Sequence, residues 1–86
     1  MKIMHYVYVL KSLKDKDMYV GRTTDLNVRL LTHGQGRVES TRNRRPLRFM
    51  YCEISNNIKD AVHREKYLKT AWGKKYLKSR LKNDDA

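Results

Sequence analysis

The sequence of 86 residues lacks several features that would mark whole classes of protein. Its one cysteine, Cys52, cannot form an internal disulfide, which is consistent with a reducing cytoplasm. No apolar run approaches the roughly 18 residues that a membrane span needs. No signal peptide, lipid-attachment signal, repeat or low-complexity segment is apparent. We therefore predict a cytoplasmic protein that does not attach to membranes.

Acidic residues are also scarce. The chain has 9 aspartates and glutamates against 20 lysines and arginines, which gives a formal charge of +11. Solubility alone would account for some excess charge, but self-repulsion at this level destabilises a compact state. A polyanionic partner is the functional explanation, and nucleic acid is the commonest one. We predict binding to DNA, with RNA as an alternative.

Hydrophobic patterns predict one domain over residues 1–82, followed by a short disordered tail at 83–86. β-branched and aromatic runs indicate strands, and apolar residues spaced by three and four indicate helices. The predicted fold is α+β, a small three-stranded antiparallel sheet flanked by helices in the order ββαβαα. The third strand has apolar side chains on both alternations, so we expect cover on both of its faces. The predicted elements are strands at 5–10, 18–21 and 47–54 and helices at 26–33, 57–70 and 73–82.

Glu65 interrupts the apolar stripe of the second predicted helix. The stripe begins at Ile58, and helical spacing carries it through position 65. A carboxylate that faces a core is costly unless it is paired or bound to a metal. The residues alone leave two interpretations open, an internal salt bridge to Arg64 or Lys69 and a metal ligand.

Arg29 and His33 lie one turn apart on the first predicted helix. The structural explanation is an ordinary salt bridge between Asp25 and Arg29, with His33 on the surface. The functional explanation is a guanidinium that binds a phosphate through two hydrogen bonds, with an imidazole beside it.

The first two predicted strands, at 5–10 and 18–21, form a hairpin that contains three tyrosines. Tyr6 and Tyr8 point to one face of the first strand, and Tyr19 lies nearly opposite Tyr8 if the hairpin is regular. Such tyrosines usually pack together. Acid–base chemistry would require a nearby cation to lower a phenol pKa from about 10, and Arg22 is the candidate cation.

The triplets Tyr6-Val7-Tyr8 and Tyr19-Val20-Gly21, which have ten residues between them, resemble the paired signature of the GIY-YIG nuclease superfamily. The first triplet keeps the final tyrosine of its pattern, and the second has valine in place of isoleucine. The chain resembles the short stand-alone members, which are grouped with the nuclease domains of the excision-repair protein UvrC and of intron-encoded homing endonucleases. Further matching motifs follow in order: Thr24-Asp25-Leu26, Arg29, His33, Gly36, Thr41-Arg42, Arg45-Pro46 and Arg64-Glu65-Lys66-Tyr67-Leu68-Lys69.

This resemblance implies hydrolysis of DNA phosphodiester bonds with one divalent metal ion, Mg²⁺ or Mn²⁺. Glu65 matches the metal ligand, and Arg29 matches the arginine that stabilises charge on the phosphate. Tyr8 and Tyr19 match the tyrosines that activate and orient the attacking water. The two remaining positions of the implied site are His33, where members carry histidine or tyrosine, and Arg22, where some members carry lysine.

The basic residues outside this implied site are expected to hold the DNA backbone without reading its sequence. They are Arg37, Arg42, Arg44, Arg45, Lys74, Lys75 and Lys78.

The resemblance has one gap, because many members carry an asparagine in the last helix. The matching stretch here, residues 74–79, has none, and the next asparagine along the chain is Asn83. The leading prediction is an endonuclease that nicks DNA with structure-dependent or low sequence specificity. We expect a monomer in solution, and a dimer on DNA would allow cleavage of both strands. The alternatives are a binding module of the same fold without turnover and a basic structural protein of a ribonucleoprotein.

Overall fold

The computed structural model describes residues 2–84 and confirms the predicted α+β order of elements. The sheet has the strand order β2-β1-β3, and both strand pairs are antiparallel. A short 3-10 helix, Arg42–Arg44, lies in the arginine-rich loop at residues 37–46, which we call the basic loop and which leads into β3. The strands are β1 (His5–Ser12), β2 (Met18–Thr23) and β3 (Leu47–Ser55), and the helices are α1 (Leu26–Gly34), α2 (Ile58–Leu68) and α3 (Ala71–Arg80).

Side-chain caps fix where the helices begin. Asp25, Asn57 and Thr70 each accept a hydrogen bond from a backbone N–H two or three residues later. Because Thr70 also caps, α3 begins at Ala71 rather than at 73.

The strand β1 lies at the centre of the sheet and is covered on both faces. Its residues Val7, Tyr8, Val9 and Leu10 are each at most 2% exposed. Because successive side chains of a strand point to opposite faces, Val7 and Val9 face one side while Tyr8 and Leu10 face the other.

The two faces of the sheet carry different layers. The hydrophobic core lies on the side of α2 and α3. On the other side, α1 and the loop after it cover β1, and there His33 and Thr41 are buried. The core consists of Val7, Val9, Val20, Ala61, Leu68 and Leu77, with Met18, Met50, Tyr51 and Tyr67 packed against them. The second layer is therefore the more polar one, and it holds most of the predicted site.

The prediction that both faces of β3 are covered holds only in part, since α1 and α2 each contact the strand but two of its apolar residues are exposed. β3 is an edge strand, and its residues Phe49 and Ile54 are largely exposed. Its register with β1 shifts between Val9 and Leu10. The extra residue is Met50, and the irregularity lets the consecutive residues Met50 and Tyr51 both pack against the core.

The last described residue is held by ion pairs. The carboxylate of Asp84 pairs with Lys11 of β1 at 2.8 Å and with Arg48 of β3. Of the tail predicted at 83–86, Asp85 and Ala86 lie outside the described residues. Within residues 2–84, no helix combines the length and apolar character that crossing a membrane requires.

Candidate active site

Two tyrosines of the β1–β2 hairpin share the face of the sheet that α1 covers. Tyr8 lies opposite Gly21 and Tyr19 lies opposite Leu10, so the tyrosines are diagonal neighbours rather than direct partners. Their ring centroids are 6.4 Å apart. The ring of Tyr8 lies over Gly21, where a Cβ would overlap the phenolic hydroxyl. The hairpin therefore needs glycine at this position for Tyr8 to adopt its orientation.

His33 comes from the last turn of α1 and is buried against both tyrosines. Its ring makes edge contacts with Tyr8 and Tyr19, at centroid distances of 5.5 and 5.3 Å. Its Nε2 lies 2.7 Å from the hydroxyl of Tyr8, and its Nδ1 lies 2.8 Å from the hydroxyl of Thr41. The interpretation of His33 as a surface residue is wrong, since only 1% of it is exposed.

Arg29 reaches the same hydroxyl from one turn earlier in α1. Its Nε donates to the hydroxyl of Tyr8 at 3.3 Å, whereas Asp25 caps the helix instead of pairing with Arg29. Burial raises the pKa of Tyr8, and the hydrogen bond from Arg29 offsets this only in part. Tyr8 therefore keeps its proton at neutral pH.

The hydrogen bonds of this cluster fix where its protons lie. Arg29 can only donate, so the hydroxyl proton of Tyr8 has His33 Nε2 as its acceptor. Burial, aided by the charge of Arg29, lowers the pKa of His33, so its imidazole is neutral at neutral pH. A neutral imidazole that accepts at Nε2 carries its proton on Nδ1, and it donates this proton to Thr41.

Glu65 lies on α2 and is held by two cations. Its Oε1 accepts a hydrogen bond from Arg22 Nε and its Oε2 accepts one from Lys69 Nζ, each at 3.2 Å. The carboxylate is only partly buried, with 20% of the side chain exposed. The salt bridge predicted from Glu65 to Lys69 is confirmed, and Arg22 is a partner that the sequence did not indicate.

Two other sequence-based assignments of cations change. Arg64 pairs with Glu53 through two hydrogen bonds of 2.7 Å, and not with Glu65. Arg22 was the predicted cation beside the tyrosines, but the cation that contacts the Tyr8 hydroxyl is Arg29. Strand alternation explains this, because Arg22 follows Gly21 and so points to the opposite face from Tyr8.

The edge strand β2 joins the tyrosine cluster to Glu65, because it carries both Tyr19 and Arg22, the partner of Glu65. The negative charge of Glu65 is one of the smaller contributions that raise the pKa of Tyr8, so the two groups lie within electrostatic range of each other. Three cations, Arg22, Arg29 and Lys69, surround this edge of the sheet. Such a concentration of positive charge attracts an anion.

Comparison with known proteins identifies the family. Residues 4–79 match the GIY-YIG catalytic domain. This chain belongs to the GIY-YIG family. The GIY-YIG catalytic domain is a nuclease domain, and nucleic acid is accordingly its class of substrate.

This GIY-YIG protein is similar over most of its length to bacterial UPF0213 proteins. It is 39% identical over 67 residues to one from Staphylococcus haemolyticus, covering 77% of this chain and 80% of the relative. It is 33% identical over 86 residues to UPF0213 protein YazA of Bacillus subtilis, covering 95% and 86%. The solution NMR structure of a UPF0213 protein from Bacillus halodurans has a TM-score of 0.56 and 33% identity, covering 88% of this chain and 83% of that one.

The donor set of this GIY-YIG site fits a magnesium-like ion. Within residues 2–84, no three His, Cys, Asp or Glu side chains come together in a group that could hold a metal. Mg²⁺ needs only one or two protein carboxylates, because it keeps water and phosphate oxygens as its other ligands. Glu65 is the residue that would hold such an ion, after Arg22 and Lys69 have left its oxygens.

The basic residues predicted to hold nucleic acid lie on two surfaces. Arg42 and Arg45 line a cleft of about 570 Å³ together with Lys14. Arg44 pairs with Asp15 at 2.7 Å, so much of its charge is neutralised locally. The remaining exposed members are Arg37 in the loop and Lys74, Lys75 and Lys78 on α3.

Thr41 is a site residue that the sequence did not single out. It is fully buried, and its hydroxyl is the partner of His33 Nδ1. It lies in an irregular loop, where no periodic pattern predicts burial. The available signal was its place in the Thr41-Arg42 pair, which matches the family pattern, but that pair carries no chemical role by itself.

Proposed function

We propose that this GIY-YIG protein is an endonuclease that hydrolyses DNA phosphodiester bonds with one divalent metal ion, Mg²⁺ or Mn²⁺. The observation that carries the proposal is the hydrogen-bonded chain from Arg29 through Tyr8 and His33 to Thr41, with Glu65 joined to it through β2. This arrangement brings a guanidinium, phenols and a carboxylate to one end of a basic surface. A purely structural cluster would not require this combination.

Arg29 is the residue that contacts the phosphate. Its guanidinium keeps further N–H donors besides the Nε that binds Tyr8, and these can hydrogen bond the non-bridging oxygens. A fixed positive charge at that position stabilises the negative charge that develops in the transition state. The metal ion held by Glu65 supplies further neutralisation of the phosphate when it is bound.

The two tyrosines have different roles because their burial differs. Tyr8 is fully buried, and its hydroxyl is committed to Arg29 and His33, so it positions those two groups. Tyr19 is only partly buried, and its hydroxyl lies close enough to Arg29 to help Tyr8 raise the pKa of that guanidinium. Tyr19 is therefore the phenol that contacts the attacking water.

In the proposed reaction the water oxygen bonds to phosphorus and the bond to the leaving oxygen breaks. The water passes a proton to the hydroxyl oxygen of Tyr19 while the hydroxyl proton of Tyr19 moves to solvent. The leaving oxygen takes a proton from solvent. A single site of this kind cuts one strand at a time, so nicking is the expected product of a monomer.

The exposed arginines and lysines hold the DNA through its phosphates, which fixes position without reading bases. We infer structure-dependent or low sequence specificity on this basis. The binding residues are Arg37, Arg42 and Arg45 before β3 and Lys74, Lys75 and Lys78 on α3.

A plasmid-nicking assay tests the proposal directly. Supercoiled DNA is incubated with Mg²⁺, Mn²⁺ or chelator, using the wild type, Glu65→Gln and Glu39→Gln. Glu39 is an exposed residue outside the site, so its variant makes the same charge change without touching the cluster. We expect metal-dependent nicking that falls by more than about 100-fold in Glu65→Gln and is unchanged in Glu39→Gln. Full nicking by Glu65→Gln, folded as judged by circular dichroism, would contradict the role of Glu65.

A binding module without turnover is the second candidate, and the ion pairs of Glu65 favour it. Both carboxylate oxygens already have cationic partners, so the site is electrostatically satisfied without a metal. This candidate predicts DNA binding whose log K falls by about 0.9 per neutralised phosphate as log salt rises, with no cleavage under any metal. Measured nicking that requires Glu65 would exclude it.

A further inference from the structure

The most exposed large hydrophobic residue of the described chain is Trp72, which is 71% exposed. It is also the only tryptophan in the sequence. It lies in the first turn of α3, which Thr70 caps. On this helix Gly73 and Leu77 are the buried residues, so the indole is not part of the face that packs on the protein.

The surface around Trp72 is strongly cationic. Lys75 lies one turn further along α3, and its Nζ is 5.6 Å from the centroid of the indole ring. No acidic residue occurs in the whole of α3, while four basic residues do, namely Lys74, Lys75, Lys78 and Arg80. An exposed aromatic ring among cations is the combination that binds single-stranded nucleic acid, where bases stack on the ring and phosphates meet the charges.

This surface adjoins the candidate active site. Lys69, which pairs with Glu65, lies three residues before Trp72. Lys69 and Lys74 line one cavity of about 240 Å³ together with Tyr19. A strand whose phosphate reaches Arg29 and Glu65 would therefore meet α3 within a short distance.

We propose that Trp72 and Lys75 form a stacking platform for an unpaired base, so that the protein prefers DNA with a single-stranded segment beside the cleavage point. This inference rests on the proposed function for the nature of the substrate. Bases within a duplex are already stacked on their neighbours, whereas an unpaired base presents a free face to the indole. The preference follows from that difference and requires no sequence readout.

A membrane surface is the competing partner for a tryptophan on a basic helix. An interfacial helix needs a broad apolar face to insert into the lipid boundary. In α3 the apolar residue Leu77 is buried in the hydrophobic core. Tyr76, one turn from Trp72, is partly exposed, but it contacts the Tyr51 hydroxyl and the Arg64 guanidinium, so the two rings make no broad apolar face. The surrounding charge and the narrow apolar surface together favour nucleic acid.

The single tryptophan makes the test direct, because fluorescence excited at a wavelength that tyrosine does not absorb reports on Trp72 alone. The protein is titrated, in chelator to prevent cleavage, with an oligothymidylate single strand and with a duplex of equal length. We expect quenching by the single strand and little change with the duplex. Anionic phospholipid vesicles serve as the third probe, and a blue shift with vesicles in place of quenching by the oligonucleotide would overturn the proposal.

Affinity for a dye-labelled oligothymidylate, measured by anisotropy, separates stacking from charge. Trp72→Ala should weaken single-strand binding about 5- to 150-fold, while Trp72→Phe keeps most of the affinity. The matched control is Leu31→Ala, which truncates another highly exposed apolar residue, on α1, and should change nothing. Equal affinity of Trp72→Ala and wild type would refute the platform.

The nicking assay with Glu65→Gln keeps the two proposals distinguishable. Glu65-dependent nicking without any effect of Trp72→Ala on single-strand binding would refute the platform alone. Quenching by the single strand without any nicking would support the platform while contradicting the proposed nuclease activity.

Discussion

Replacing Thr41 by valine tests the proton arrangement deduced for the buried cluster. The change keeps the shape of the side chain but removes the hydroxyl that lies 2.8 Å from His33 Nδ1. Both residues are at most 1% exposed, so water does not take the place of the hydroxyl. The Nδ1–H of His33 is then a buried donor without an acceptor.

The expected loss of stability follows from that orphaned group. Leaving one buried polar group unsatisfied costs about 1–3 kcal/mol. In a domain of this size, each kcal/mol lowers the melting temperature by about 4–8 °C. Thr41→Val should therefore melt roughly 4–24 °C below the wild type, as followed by far-ultraviolet circular dichroism. Nicking measured below the melting transition should also fall, because His33 no longer has a fixed tautomer for Tyr8.

Two control variants sharpen the measurement. Thr41→Ser keeps the hydroxyl and should retain most of the stability. Thr32→Val removes a hydroxyl that only donates to the carbonyl of Val28 on the surface of α1, so it should change the stability by less than about 0.5 kcal/mol. Equal melting temperatures for Thr41→Val and Thr32→Val would refute the reasoning.

Two further predictions concern the same cluster. The pKa of buried His33 is lowered from its ordinary value near 6.5, so below that pH the unfolded chain binds more protons than the folded one. The free energy of unfolding should therefore be highest above about pH 6.5 and should fall as the pH drops from that value toward the lowered pKa. Urea unfolding between pH 7.5 and 5.5 should show a smaller fall for His33→Gln, and an unchanged slope would contradict the assignment. Gly21→Ala should destabilise by about 1–3 kcal/mol because its Cβ overlaps the ring of Tyr8, whereas Gly34→Ala meets no atom within 4 Å and should be neutral or stabilising. Chemical denaturation of the pair measures this, and equal stabilities would disprove the close approach.

The order of the elements was predictable because it depends on local patterns. The run from Val7 to Leu10 is β-branched, aromatic or apolar throughout, and Asp25 and Asn57 stand where helices need caps. These signals act over a few residues, so the sequence carries them without tertiary information. The cover of β3 was not predictable, because the register shift opposite Val9 depends on pairing with another strand.

Apart from Thr41, the members of the candidate site were indicated by the family resemblance, but their contacts were not. Arg22 and Glu65 are 43 positions apart, and their ion pair depends on which face of β2 meets α2. His33 and Thr41 are separated by an irregular loop, where no periodicity indicates which side chains turn inward. In each case the sequence shows the residue types, but the contact between them depends on tertiary packing, which local patterns do not reveal.

The distribution of ion pairs explains where the excess positive charge acts. Several of the scarce carboxylates are bound internally, with Glu53 paired to Arg64, Asp84 paired to Lys11 and Arg48, and Glu65 paired to Arg22 and Lys69. Acids used in this way do not neutralise Arg37, Arg42 and Arg45 of the loop before β3 or the four basic residues of α3, so these surfaces carry much of the net charge of +11. Self-repulsion among them opposes folding. A bound polyanion would relieve that repulsion, so the proposed binding of DNA would also stabilise the fold.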